Sequence, residues 1–530
     1  MTTATASPSV RALPETVDVV IVGSGFAGLA MAAQLKRDGN DDFVVLERAH
    51  DVGGTWRDNS YPGCCCDVPS HLYSFSFAPN PGWSSTFSPQ AEIQAYLRRV
   101  AEREGVREHV FFGHEVESAS WDDAAAQWLV RTSGGSLAAR VLIAAAGPLS
   151  EPSIPEIRGL GDFEGTLFHS ASWDHEHALD GERVAVIGTG ASAIQFVPQI
   201  QPRVQRLHVF QRTAPWIMPR PDRPLRRIER LLYRRVPAAQ RAMRQAIYWG
   251  RELYAIPMLR ARLSRVIEVA ARRHLRRQVP NPELRAKLTP DYAPGCKRIL
   301  VSNDYLPSLS RDNVELVCEG VVEIRERSIV TADGVERPVD TIILGTGFHV
   351  TDLPIAERVV GREGQTLAEH WDGSLEAHRG TTVAGFPNLF LLLGPNTGLG
   401  HTSVVVMAEA QVGYVARALE AMRAAGAAVV EPRIEAQRRW NEAVQRRMAG
   451  TVWMAGGCRS WYIDRNGRNS TLWPDFTFRF AAALRRFDAG EYRLAGAPSR
   501  ERVAAPGRVA APERVAAPER VAARSAEAAA

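Results

Sequence analysis

The stretch Phe163–Ala193, FEGTLFHSASWDHEHALDGERVAVIGTGASA, decides how the chain is read. Its second half is a short apolar run, RVAVIG, leading into Gly188-x-Gly190-x-x-Ala193. A strand entering glycines at this spacing brings the N–H groups of a helix N-terminus up to a pyrophosphate with no side chain in the way. A similar arrangement stands near the N-terminus. There Val17–Val22 is apolar apart from Asp18, Gly23-x-Gly25-x-x-Gly28 opens the helical run GLAMAAQLKRDG, and Phe43–Leu46 ends in Glu47, 24 residues after Gly23. An acid at that place accepts ribose hydroxyls and repels a 2'-phosphate. After the second glycine loop, RLHVFQ runs into Arg212-Thr213, with Gln211 23 residues after Gly188. A neutral residue followed by a guanidinium suits a 2'-phosphate. Two dinucleotide sites of opposite electrostatic preference predict FAD in the first, NADPH in the second, and electron transfer between them.

The 530 residues suffice for two or three domains. No uninterrupted apolar segment is long enough to span a bilayer, and VDVVIVGSGFAGLAMAA lacks the basic leader of a signal peptide, so strand-turn-helix is the better reading. The six cysteines include the run Cys64-Cys65-Cys66 but no Cys-x-x-Cys. Reduced thiols in a cytoplasmic protein are expected, rather than a disulfide framework or a metal site. The net charge of +5 conceals an interval, 220–298, with 21 Lys/Arg against 6 Asp/Glu. Solvated helix faces account for it, with attraction of an anionic cofactor as the alternative. No recognisable nucleic-acid module accompanies the charge, so nucleic acid is not an expected partner.

Residues 53–67 read GGTWRDNSYPGCCCD. They match a Gly-Gly-x-Trp, aromatic-Pro-Gly, Asp pattern, and Phe163, Gly165, His169, Trp173 and Asp174 match a second, Phe-x-Gly-x-x-x-His-x-x-x-Trp followed by Pro or Asp. In both, the chain resembles the Baeyer–Villiger monooxygenases, class B flavoprotein monooxygenases, over roughly residues 15–485. The resemblance implies an α/β fold of two Rossmann-like dinucleotide-binding domains, for FAD and NADP, with a helical insertion in the NADP domain. It divides the chain into a first FAD part (12–147), a first NADP part (152–220), the insertion (221–290), a second NADP part (291–343), a second FAD part (344–492) and a repeat tail (493–530). It implies conversion of ketones to esters or lactones through a C4a-peroxyflavin, with O2 and a small-molecule substrate as partners. The alternatives are a heteroatom-oxidising flavin monooxygenase acting on amines or sulfides and, from another class, a non-catalytic NADP-sensing module on an inherited fold, against which the retained Arg298, Asp67 and both fingerprints argue.

Thr55, Trp56, Asp67 and Tyr73 join Gly23, Gly25, Gly28 and Glu47 as first-site residues, and Ser192 joins Gly188, Gly190, Ala193, Arg212 and Thr213 in the second. The resemblance gives Lys297 to the NADP phosphate and Arg298 to the active site, oriented by Asp67. It places Trp461, in an aromatic-rich segment, near substrate and nicotinamide. His169 and Trp173 are four apart and share a face if their segment is helical or tightly turned, which would let that face couple NADP occupancy to domain rotation. From Glu501 the chain repeats ERVAAP-like units, whose prolines and six-residue period predict a disordered tail.

Overall fold

The computed structural model describes residues 11–496. The first strand, β1 (Thr16–Val22), is buried over Val19–Val22 because it runs inside a sheet covered on both faces, which is why that part of it is continuously apolar. It feeds helix α1 (Phe26–Arg37), then β2 (Phe43–Glu47), with β1 and β2 pairing in parallel. Strands β3 (Val110–Phe112), β4 (Val116–Asp122), β5 (Gln127–Thr132) and β6 (Gly135–Ala144) follow. Strands β4, β5 and β6 form an antiparallel meander whose last strand returns to pair in parallel with β1.

The second sheet is wholly parallel and has five strands. These are β7 (Thr166–His169), β8 (Arg183–Ile187), β9 (Arg206–Phe210), β10 (Val314–Val317) and β11 (Thr341–Leu344), in the order β10-β9-β8-β11-β7. Between β8 and β9 lies α2 (Ala193–Ile200). The chain then recrosses to the first sheet, where β12 (Val359–Val360) pairs with β4 and β13 (Leu389–Leu391) with β6. That sheet has eight strands, so residues far apart in sequence complete one layer.

Between β9 and β10 the interval 221–290 carries α3 (Arg227–Arg235), α4 (Pro237–Tyr254) and α5 (Arg265–Gln278). Although α4 is inserted in the second domain's sequence, its polar residues bind the first domain. Arg244 Nη1 donates to the carbonyls of His71, Leu72 and Ser74 at 2.9, 3.1 and 2.8 Å, and Gln240 Nε2 donates to that of Asn80 at 2.8 Å. A last long helix, α6 (Val404–Ala424), packs on α1.

Two expectations need correction. Strand β14 (Val429–Pro432) pairs antiparallel with β15 (Tyr492–Ala495), so a tail beginning at 493 starts too early, because apolar Leu494 packs on the core. The ERVAAP repeats themselves lie outside the described residues. Cys296 and Cys458, 162 residues apart, form a disulfide, whereas Cys64, Cys65, Cys66 and Cys318 are free. The pairing follows from tertiary contact. The Ala293 N–H donates to the Gly456 carbonyl at 2.9 Å, and a Cβ on Gly456 would fall 2.7 Å from that of Cys296. Among the described residues no helix is long and apolar enough to cross a membrane.

Candidate active site

In the first glycine loop Gly23 and Gly28 are dictated by close approaches. A Cβ on Gly23 (φ +98°) would lie 2.7 Å from the Ala145 carbonyl oxygen, and one on Gly28 only 1.9 Å from that of Gly23. Gly25 faces Gly54, whose own Cβ would stand 3.2 Å from the Gly25 Cα. Helix α1 begins with no side-chain cap and no acid in its first turn, leaving its first N–H groups for an anion. Beyond the loop Trp56 Nε1 donates to the Tyr73 hydroxyl at 3.0 Å, with Thr55 just before it.

Glu47, at the end of β2, is buried. One carboxylate oxygen accepts from the Ser24 N–H at 3.0 Å and the Ser24 hydroxyl at 2.6 Å; the other accepts from the Ala49 N–H at 3.0 Å and pairs with Arg57 at 2.8 Å. The acid is thereby fixed against the glycine loop. The open loop N-terminus and the fixed carboxylate fit the adenosine diphosphate part of FAD.

The second loop repeats the geometry with different electrostatics. A Cβ on Gly188 (φ +114°) would meet the Gly345 carbonyl oxygen at 2.3 Å, while one on Gly190 would meet nothing within 4 Å. Ser192 and Ala193 begin α2, which also lacks a side-chain cap or an acid in its first turn. Past β9, Gln211 is buried, donating to the Lys287 carbonyl at 2.8 Å, and Arg212 is exposed beside Thr213. Lys297 arrives here from much later in the chain. Burial and the neighbouring Arg212 guanidinium hold its ammonium pKa below 10.5, opposed by Asp291. Two cations close enough to repel one another form a site for an anion, which fits a 2'-phosphate.

Between the two loops lies the pair Asp67–Arg298. Arg298 Nε donates to Oδ2 at 2.9 Å and Nη2 to Oδ1 at 2.7 Å, a two-pronged contact that fixes the guanidinium plane. Asp67 raises the Arg298 pKa against the effect of burial. Burial penalises the Asp67 carboxylate, but Arg298 and, further off, Arg251 hold it below 3.8. Arg251, on α4, is a second cation in the same field, and its Nε is buried without a hydrogen-bond partner among the described residues. Trp461 is 46 % exposed, while its neighbour Tyr462, ring centroids 4.2 Å apart, is 1 % exposed. Burial pushes the Tyr462 hydroxyl up to about 12, opposed by Arg298.

The second fingerprint is not one helical face. His169 ends β7, a single 3-10 turn (Ser170–Ser172) follows, and the two side chains take different partners. The His169 ring meets Phe348 edge-on at 5.6 Å, whereas Trp173 packs on Phe168 at 5.1 Å and Phe196 at 5.3 Å. Parallel pairing of β7 with β11 overrides the four-residue spacing by placing His169 beside Leu344. Phe163 packs against the second sheet, and a Cβ on Gly165 would fall 2.2 Å from the Asp340 carbonyl oxygen. Asp174 accepts from the N–H groups of Glu176 and His177, closing the turn.

Sequence reasoning missed Arg251 and Tyr462. Arg251 sits in an arginine-rich run that reads as solvated, and only the polar buried face of α4 distinguishes it. Tyr462 adjoins the tryptophan singled out, and the clue was the doublet itself.

Comparison with known proteins adds to this geometry. The family described as pyridine nucleotide-disulphide oxidoreductase matches residues 20–249. A Baeyer–Villiger monooxygenase of Streptomyces coelicolor is 52 % identical over 92 % of this chain and 94 % of its own length. Another, from Pseudomonas aeruginosa, is 47 % identical over 91 % of this chain and 92 % of its own. Among solved structures, OTEMO in complex with FAD and NADP superposes with a TM-score of 0.81 at 26 % identity, covering 90 % of this chain and 99 % of that one.

Proposed function

The chain belongs to the Baeyer–Villiger monooxygenase family, and from that premise we propose that it uses FAD, NADPH and O2 to convert a ketone into an ester or lactone. One ketone, one O2, one NADPH and one proton give one ester, one NADP+ and one water. The observation that carries this reading is the half-buried two-pronged pair Asp67–Arg298, standing between an acid-terminated and a cation-terminated glycine loop. The same reading supports the division into two FAD parts and two NADP parts around a helical insertion.

When bound, FAD supplies oxygen activation and transfer. The residues of the chain do the rest. The glycine loops and the N-termini of α1 and α2 hold pyrophosphates. Glu47 orients a ribose, and Arg212 and Lys297 take the 2'-phosphate that distinguishes NADPH from NADH. Arg298 is a fixed positive charge for the negative charge that develops on oxygen during addition to a carbonyl, and Asp67 keeps its plane from turning. The charge is not neutralised by proton loss, because Asp67 raises the guanidinium pKa further. His169 and Trp173 brace the end of β7 and the α2 side of the second domain, through which NADP occupancy is passed to the domain junction.

The test is to purify the protein with FAD and screen linear, cyclic, aromatic and steroid ketones with NADPH under labelled O2, running a thioether in parallel. An ester or lactone carrying one labelled oxygen supports the proposal. Sulfoxide with no ester from any ketone would transfer the chain to the heteroatom-oxidising reading. Protein that stays colourless with FAD would end both.

A further inference from the structure

Helix α4 is turned inside out. Of its 18 residues, the only two that are buried are polar, Gln240 and Glu252, and partly buried Arg244 and Arg251 also point inward. Glu252 accepts from the N–H groups of Thr477 and Phe478 at 3.2 Å each, so hydrogen bonds hold the inward face alongside Ile247 and Tyr248, which pack on the core while remaining partly exposed. The opposite face carries Trp249, 53 % exposed, and Leu253, 67 % exposed, one turn apart and so side by side. Helix α3 shows the same inversion, with Tyr233 its only buried residue and Ile228, Leu231 and Leu232 exposed at i, i+3 and i+4.

The two helices pack together and both touch the ring of His71. Tyr233 meets the His71 ring edge-on at 4.9 Å, and Gln240 Nε2 lies 3.3 Å from His71 Nδ1. Their outward faces therefore form one surface. Leu, Ile and Trp side chains clustered on the outside of two adjacent helices call for an occupant.

The charge on this surface selects the occupant. Arg227, Arg234, Arg235 and Arg241 flank the apolar positions, are exposed, and make no ion pair among the described residues. A second copy of the chain would set this cationic surface against itself, since 220–298 holds 21 Lys/Arg and 6 Asp/Glu. The segment after Gly496 has six arginines and four glutamates, so it is no complement either. An anionic phospholipid surface satisfies both features: apolar side chains enter the acyl boundary and arginines reach the headgroups. The geometry points to α3 and α4 as a peripheral docking surface for anionic membranes. This reading stands independently of the ketone chemistry.

Flotation of the full-length, FAD-loaded protein tests it, using vesicles of equal parts phosphatidylglycerol and phosphatidylcholine against pure phosphatidylcholine. The protein is expected to float with the anionic vesicles alone and to be released by high salt. A Trp249→Ser/Leu253→Ser variant should partition about tenfold less, and Arg234→Gln/Arg235→Gln about fivefold less per arginine. FAD content and the NADPH oxidation rate should be unchanged in both. Absence of flotation at low salt overturns the proposal, as does equal binding to neutral vesicles or indifference to these substitutions. So does a dimer in sedimentation that the Trp249→Ser/Leu253→Ser variant dissociates, or flotation that appears only after removal of residues 497–530.

Discussion

The two glycine loops share a backbone and differ in what surrounds it. In the first, a Cβ on Gly23 or Gly28 would fall 2.7 or 1.9 Å from a carbonyl oxygen, and the terminal acid is buried with both carboxylate oxygens engaged. In the second, Gly190 faces open space, Arg212 is exposed, and Arg212 and Lys297 repel each other. A site whose charges are already paired changes little on loading. One that holds two unneutralised cations gains most of its electrostatic energy when an anion arrives and returns it when the anion leaves. The first loop is built for a resident cofactor and the second for one that comes and goes.

The largest effect expected lies between the loops. Arg298→Ala should lose oxygenated product by roughly 10²- to 10³-fold while flavin reduction by NADPH persists, read by following product and NADPH in the same reaction. Loss of FAD from this variant would break the comparison, because Arg298 would then belong to the first site. Next is the disulfide. Cys458→Ser should lower unfolding stability by about 2–4 kcal/mol. It should also raise the KM for NADPH with FAD content unchanged, since Cys296 adjoins Lys297 and Arg298 but not the first loop. Unaltered NADPH kinetics together with FAD loss would place the disulfide on the wrong side. Arg212→Ala should raise the KM for NADPH about tenfold and leave NADH use alone. Equal effects on both nucleotides would remove the phosphate contact.

The smallest effect is a pH dependence. Burial and Arg212 depress the Lys297 pKa below 10.5 in the free protein, and a bound phosphate raises it. Binding therefore favours the protonated lysine, and NADP+ affinity should fall as pH rises through the depressed value. NAD+ affinity should not fall, and titration calorimetry across alkaline pH compares the two. In folding the sign is opposite to the usual lysine pairing. A lysine whose folded-state pKa is depressed costs stability below that value, and the cost disappears as pH rises toward 10.5.

Much of this was legible in the residues. Strand, glycines, helix and terminal residue lie within a few dozen positions of one another, so each loop could be read locally, including the contrast between Glu47 and Arg212. Asp67 and Arg298 could be named by resemblance, but their pairing across 231 residues could not be read from local pattern. The spacing of His169 and Trp173 misled, because parallel pairing with β11 set the conformation of His169 in place of helical periodicity. Arg251 looked like one more solvated arginine, since nothing local distinguishes a helix with its polar face inward from one with that face outward.

The sequence by itself determined two strand–glycine-loop–helix units, the acid that ends one and the arginine that follows the other. These are short-range properties, carried by backbone sterics and by the charge at a strand end. Only the tertiary structure decided which distant groups meet: Lys297 with Arg212, Cys296 with Cys458, and α4 with the first domain rather than the domain into which it is inserted. Such pairings depend on how separate layers stack, and burial, which turns an arginine from a solvated charge into a fixed one, is a property of the stack and not of any one segment.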